Sequence, residues 1–329
     1  MQVQRVAAVT AVTFPINILD FQRRFTNERA CWDYLRRVRW PHGFRCPYDG
    51  SRALSFIRTR KVWECLEGHH IGVITDTVMH KTHMPLQMWF WAAYLVSTQK
   101  AGLSAWNLAK QLGIRYETAY MMLQRLRAGM VCPERAKVSG VIEVDEAYVS
   151  AGRMRSTRRI RGRGRASIKP LVVCAVQSRG KTAGQIRIRR IKTHSAEYLE
   201  RFICDYVTKG STVVTDGLPS YSGLRRLGYR HVVRRGVSSV EIARQLPHVH
   251  RAFSNLKAWL IGTHHGVSGK HLQAYLNEFA FRYNHRGNLF RAFKLVLGLG
   301  AIQEGPEYEQ LYSAGQRGGW KHPAARQCV

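Results

Sequence analysis

Two aspartates sit where a carboxylate needs a reason to be. Asp145 interrupts an otherwise apolar, strand-like run, GVIEVDEAYV over 140–149, and Asp216 closes another, STVVTDG over 211–217, directly before a glycine where the chain can turn sharply. An acid in mid-strand costs free energy unless it is paired or coordinates a cation, and strand ends are where open α/β sheets assemble sites. Two such carboxylates brought together suit a hard divalent cation, magnesium or manganese. A pair of those ions, about 3.5–4 Å apart, activates a water or terminal hydroxyl and stabilises the leaving oxygen of an in-line phosphoryl transfer. Either aspartate taken alone reads as a salt bridge or a turn cap; position and the order of the surrounding elements favour the metal reading. Glu146, adjacent to Asp145, points to the opposite face of the strand and is not expected to be a ligand.

A second constellation lies nearer the N-terminus. CPYD at 46–49 and WECLEGHH at 63–70 have the outline of two zinc-ribbon knuckles, each lacking its second cysteine, replaced by Asp49 and Gly68. A structural zinc takes four ligands, typically two C-x₂-C pairs. Carboxylate and imidazole also bind zinc, so Cys46, Asp49, Cys65 and His69 form a candidate set, with a metal-free small β segment as the alternative. The stretch GTHHGVSGKH over 262–271 is rich in polar donors but has no supporting cysteine pair, and it reads as a DNA-contacting loop rather than a metal site.

The elements that must position these residues follow from periodicity. Residues 16–45 have helical spacing of apolar positions up to the breakers Pro41 and Gly43, and about sixteen residues of strand-like alternation separate the two knuckles. Within the helical stretch 84–132, GLSAWNLAKQLGIRYETAYMMLQRLRAGM reads as a helix-turn-helix. Ser104 caps its first helix, Leu112-Gly113-Ile114 form the turn, and a second helix begins near Tyr116. Lying in a major groove, that second helix would present Arg115, Glu117, Thr118 and Tyr120 near its start and Gln124, Arg125 and Arg127 further along; the alternative is a plain helical hairpin with solvated arginines. Beyond Gly140 the period becomes strand-like, with strands at 140–149, 171–177 and 185–191, an amphipathic helix over 195–207, and a further strand at 211–217. Three strands, a helix and a fourth strand is an order used by ribonuclease H-like sheets.

Five segments result: a helical lead-in (1–45), a degenerate zinc-ribbon-like segment (46–83), a helical helix-turn-helix region (84–132), an α/β domain (138–300) with a basic insertion (153–169), and a loosely ordered C-terminal tail (301–329). In the insertion, eight of seventeen residues are basic and none is acidic, including Arg153, Arg155, Arg158, Arg159, Arg161, Arg163 and Arg165. The whole chain has 52 Lys and Arg against 21 Asp and Glu, a formal charge of +31, with 45% hydrophobic residues. That balance excludes a wholly disordered or acidic protein and calls for a polyanionic partner. Seven scattered cysteines, an odd number, and an N-terminus without a secretory pattern point to the reducing cytoplasm. The most apolar window, Met84–Thr98, is too short for a membrane span and reads as a buried helix.

Four segments carry a more specific likeness: VIEVDEAYV, VVTDGLPSYSGL, LPHVHRAFSNLKAWLIGTHHGVSGKHLQAYLNEFAFRYNHR and, upstream, VMHKTHMPLQMWFWAAYLVSTQKAGLSAWNLAKQLG. Together they resemble insertion-sequence transposases of the DDE superfamily, in the ISXO-type branch, over most of residues 16–286. The resemblance implies a zinc ribbon, a helix-turn-helix and a ribonuclease H-like catalytic domain. It also implies metal-dependent cutting of element ends and joining of the freed 3′ hydroxyls to target DNA. At the family's usual spacing from Asp216, the third acid's place is held by His250, with Lys257 as the trailing basic residue. Imidazole carries no negative charge and prefers softer metals, so His250 would hold magnesium weakly and favour manganese. Asn255 and Glu278 are the alternatives for that third position.

The expected protein is therefore a DNA transposase that binds double-stranded element ends and target. It would act in the cytoplasm as a dimer or larger assembly, without a membrane. Asp145, Asp216 and His250 would hold magnesium or manganese, Lys257 would position phosphate, and the ribbon would bind zinc if its four donors converge. Two other readings compete: a ribonuclease H-like nuclease that cuts without joining, and a catalytically impaired DNA-binding descendant.

Overall fold

In the computed structural model the described residues are 15, 17–131, 136–149, 169–236, 241 and 244–297. They form two compact units, one running to Thr98 and resumed from Asn288, the other spanning Gln99–Gly287. The division at Thr98 falls inside the stretch 84–132, so its first helix and its helix-turn-helix belong to different units. The described residues 288–297, placed with the α/β domain on sequence, belong with the first unit instead.

In the first unit the lead-in is two helices rather than one, α1 (Ile18–Arg24) and α2 (Glu28–Arg39). The break is made by Asn27, whose side chain accepts from the amide of Ala30 just as Asn17 accepts from Asp20; an asparagine satisfying free amides starts a new helix at each place. A three-stranded antiparallel sheet follows, β1 (Ala53–Ile57), β2 (Val62–Cys65) and β3 (His70–Gly72). Arg39 ties the segment after β3 to α2 by donating to the carbonyls of Gly72, Val73 and Thr75. The apolar window is helix α3 (Leu86–Thr98), with Trp89, Phe90, Ala92 and Ala93 buried. Among the described residues no helix is long and apolar enough to cross a membrane.

The second unit opens with α4 (Ala105–Leu112) and α5 (Tyr116–Gly129). Ser104 caps α4 through the amide of Asn107, and Gly113 takes the left-handed conformation, φ +65°, that ends it. Then come β4 (Val141–Tyr148), β5 (Leu171–Arg179), β6 (Thr182–Ile191), α6 (Ala196–Tyr206), β7 (Thr212–Thr215), a short 3₁₀ helix (Pro219–Leu224) and β8 (Arg230–Val233). Two long helices follow, α7 (Pro247–His264) and α8 (Leu272–Asn284), and α9 (Leu289–Val296) rejoins the first unit.

The strand order is β6-β5-β4-β7-β8, with β4, β5 and β6 antiparallel and β7 and β8 parallel to β4. This is the ribonuclease H-like sheet expected from the element order. Its central strands are buried on both sides, which is why LVVCAV in β5 is a continuous apolar run rather than an alternating one. Ile142, Val144 and Val213 face α6 and the 3₁₀ helix, whereas Ala147, Val149, Cys174 and Val214 face α7 and α8. Alternation along β4 and β7 therefore turns Glu143, Asp145 and Asp216 toward α7.

Candidate active site

The parallel pairing of β4 with β7 puts Val141 beside Thr212 and Glu143 beside Val214. Continued two residues, the same register sets Asp145 beside Asp216 on one face at the C-terminal end of both strands. Asp216 follows the last residue of β7 and holds the turn beyond it, its Oδ1 accepting from the amide of Leu218 at 3.1 Å. Gly217 stands at φ +93°, and a Cβ there would lie 2.5 Å from Val233 on β8. Only glycine lets the chain leave β7 at this point without displacing the neighbouring strand.

The third group comes from α7. Pro247 opens this helix, and the amides of His248 and Val249 donate to a single carboxylate oxygen of Glu143, at 2.7 and 3.0 Å. Glu143 thus caps α7 from the central strand, two residues before Asp145, and fixes the first helical turn against the sheet. One residue further, His250 reaches to 3.5 Å between its Nε2 and Oδ2 of Asp145. That Nε2 is buried and has no hydrogen-bond partner. Lys257, two turns along the same face, is exposed at its end yet close enough to act electrostatically on both.

The electrostatics describe a site short of positive charge. Asp145 is 9% exposed. Burial, followed by the charges of Glu146 and Asp216, pushes its carboxyl up to about 7 against the opposing pull of Lys257. Burial lowers His250 below the usual imidazole range, so the ring favours its neutral, ligating form. A buried carboxylate held partly protonated, facing an unpartnered imidazole nitrogen, is a donor set that fits a divalent cation. Glu146 points the other way, accepting from the hydroxyl of Tyr221 at 2.5 Å and lying 3.3 Å from Nδ1 of His194.

Glu278 does not fill the third position. It is fully buried on α8 between Arg127 at 2.7 Å and Arg282 at 2.8 Å, and these guanidiniums hold its carboxyl down at about 2 despite burial. Both its oxygens are committed to the protein's own cations. Asn255 lies exposed on α7, five residues from His250 and off the face that His250 shares with Lys257.

In the first unit the two degenerate knuckles close on one another. Nδ1 of His69 lies 3.1 Å from Oδ2 of Asp49, 3.3 Å from Sγ of Cys65 and 3.7 Å from Sγ of Cys46. Sγ of Cys65 is 3.4 Å from Oδ2 of Asp49. One donor atom from each of the four lies within 4.8 Å of all the others, the convergence a tetrahedral cation needs. The amide and hydroxyl of Ser51 hold the Asp49 carboxyl well below its usual range, and contacts with Cys65 and Asp49 raise His69.

A family model described as the ISXO2-like transposase domain matches residues 137–284, and the transposase zinc-ribbon domain of the same group matches 26–70. The chain belongs to the ISXO2-like transposases. It is a DNA transposase of the DDE type, a metal-dependent enzyme acting on DNA. A protein encoded in transposable element ISH50 of Halobacterium salinarum is 28% identical over 280 residues, covering 79% of this chain and 92% of that protein. Among solved structures, the catalytic core of BIV integrase is similar at 14% identity and TM-score 0.25, over 49% of this chain and 82% of that one. Mos1 transposase in a paired-end complex with the left transposon end is similar at 12% identity and TM-score 0.26, over 65% and 80% of the two chains.

The helix-turn-helix of this ISXO2-like transposase differs in part from the sequence expectation. The second half of α5 is turned inward, with Gln124 4% and Arg127 2% exposed. Gln124 is therefore not a groove contact, and Arg127 is spent on Glu278 and on the face of Tyr275, 4.0 Å away. What remains outward is the start of α5, where Arg115, Tyr116 and Glu117 are exposed and Thr118 and Tyr120 half-buried; further along, Arg125 is also half-buried. The sequence reading missed Trp106 on α4, which is exposed with the Lys110 ammonium 3.9 Å over its ring. In the transposase's 262–271 stretch, His264 packs edge-on against Trp259 and Tyr275 and is pushed down to about 4 by burial, so it is a packing residue rather than a DNA contact. Arg153, Arg155, Arg158, Arg159, Arg161, Arg163 and Arg165 lie outside the described residues.

Proposed function

We propose that Asp145, Asp216 and His250 hold the divalent cations of this transposase and that Lys257 engages the phosphate beside the scissile bond. The observation that carries this reading is the buried, unpartnered Nε2 of His250 facing the buried Asp145 carboxylate. Cations bound there supply charge neutralisation of the phosphate and an activated water or 3′ hydroxyl. The protein's own part is placement: the β4–β7 register aligns the two carboxylates, Glu143 locks α7, and α7 delivers His250 and Lys257 together. The imidazole at the third position favours manganese over magnesium. In the first unit Cys46, Asp49, Cys65 and His69 hold a structural zinc, which would fasten the hairpin rather than act in the reaction.

End recognition falls to the start of α5, with Arg115, Thr118 and Tyr120, and to Arg125 further along, on double-stranded DNA. The basic stretch 153–169 adds affinity independent of sequence, with a salt slope of about −0.9 for each phosphate neutralised. Cutting two ends and joining them to a target requires a dimer or larger assembly, working in the cytoplasm. The decisive test is Asp145→Asn, assayed on a labelled element end. Cleavage is expected to vanish with either magnesium or manganese while end binding stays near wild type; cleavage retained by the variant would overturn the assignment. His250→Glu should shift the metal preference from manganese toward magnesium.

A further inference from the structure

The first unit contains a groove of about 760 Å³ between α2, the β1–β2 hairpin and the segment leading to α3, within the size range of about 300–1,000 Å³ typical of small-ligand sites. Its apolar side is aromatic. Trp32 on α2, half-buried, lines it, with Phe56 of β1, 40% exposed, 6.0 Å away between ring centroids. Trp32 is held from behind by Trp63, stacked at 5.3 Å and 16°, which is itself stacked on Phe44 at 5.6 Å and 15°. The indole plane is therefore fixed where it lines the groove. At the hairpin end the groove is lined by Arg58, Arg60 and Lys61, all exposed.

Of the two acids that line the same groove, Glu28 is already engaged and Asp33 has a basic neighbour. Both oxygens of Glu28 accept from the amides of Leu86 and Gln87 at the start of α3, and Asp33 lies 4.0 Å from Arg29. The surplus at the hairpin end is thus positive, beside a rigid π-surface. An aromatic platform next to a basic rim is the combination that binds an unpaired nucleotide, base stacked and phosphate neutralised. A base inside a duplex has both faces covered, so only one out of the stack can use such a platform.

We propose that this groove binds a nucleotide of single-stranded or locally unpaired DNA, its base on Trp32 and its flanking phosphates on Arg58, Arg60 and Lys61. The proposal rests on the protein's being a DNA transposase but not on the assignment of its catalytic residues. No duplex sequence readout by the ribbon is needed.

The test uses the full-length, zinc-loaded chain and a short oligodeoxynucleotide carrying 2-aminopurine, compared with the same sequence as a blunt duplex. Single-strand binding should quench the 2-aminopurine. Trp32→Ala should remove the quench and weaken single-strand binding about tenfold, leaving duplex binding within about twofold. The combined Arg58→Ala, Arg60→Ala, Lys61→Ala variant leaves the aromatic core in place. It should flatten the single-strand salt slope by about 2, near 0.7 for each phosphate lost. Thermal unfolding of each variant checks that the ribbon is intact, and Trp32→Phe, which keeps a ring, should recover part of the quench. Single-strand affinity and quenching unchanged in folded Trp32→Ala, or equal losses on single strand and duplex, would overturn the proposal. Failure of the wild-type protein to cleave element ends would count against the transposase activity on which the proposal rests, and it is distinguishable from failure of the groove because these binding readouts need no cleavage.

Discussion

Asp145 and Glu278 are both buried carboxylates of the same unit, and their surroundings treat them in opposite ways. Glu278 meets two guanidiniums, Arg127 and Arg282, and is held down at about 2. Asp145 meets two further carboxylates at a distance and an imidazole whose facing nitrogen has no partner, and is pushed up to about 7. Burial raises the pKa of both; what differs is whether the fold supplies the compensating charge. A carboxylate satisfied by the protein's own cations is a structural pin, here joining α5 to α8. One left unsatisfied at a strand end is suited to a cation from outside, which is the basis for reading Asp145 as a site and Glu278 as a brace.

The contrast can be broken most sharply by removing each charge. Glu278→Gln strands Arg127 in the core and should cost about 3–5 kcal/mol of folding stability, measured by urea unfolding. Asp145→Asn, by relieving an uncompensated buried charge, should leave stability unchanged or slightly higher; a loss as large as that of Glu278→Gln would erase the distinction. The two also differ with pH. Because the Glu278 pKa is depressed from 4.5, its contribution is fully present above about 4.5 and is lost as pH falls toward about 2. Acid unfolding followed over that interval should be shallower in Glu278→Gln than in wild type.

Metal addition gives the next largest effect. Manganese at about a hundred times its dissociation constant should stabilise the zinc-loaded wild-type protein by about 2.7 kcal/mol, seen as a raised unfolding midpoint. Asp145→Asn should lose most of that gain and Glu278-based variants should keep it. Glu143→Gln keeps an oxygen acceptor but loses the charge that caps α7. It should cost about 1 kcal/mol of stability and slow cleavage about tenfold through a less well-placed His250, with end binding unchanged. The smallest effect belongs to the helix-turn-helix, where Trp106→Ala removes an exposed cation–π pair with Lys110. Folding should change by about 0.5–1 kcal/mol, and a duplex-binding loss beyond that would mark Trp106 as a DNA contact.

Much of this arrangement was legible in the sequence because it depends on local pattern. The cap at Ser104, the turn at Gly113, the strands bearing Asp145 and Asp216, and the four spaced donors of the ribbon all follow from residue type and short-range spacing. Glu143 was not legible as a cap, since its partners, the amides of His248 and Val249, come from a helix about a hundred residues away. The inward turn of Gln124 and Arg127 was hidden for the same reason. A helix-turn-helix with one polar and one apolar face gives no sign that a buried glutamate on α8 draws an arginine inward.

By itself the sequence determined most of the elements, the ribonuclease H-like order of strands and helix, the positive surplus and the two aspartates, because periodicity, propensity and charge are properties of neighbouring residues. Only the tertiary structure decided which buried acid is neutralised from within and which is left facing an unpartnered histidine. That choice rests on distances between α5, α7, α8 and β4, and on how many cations each carboxylate finds there once water has been excluded.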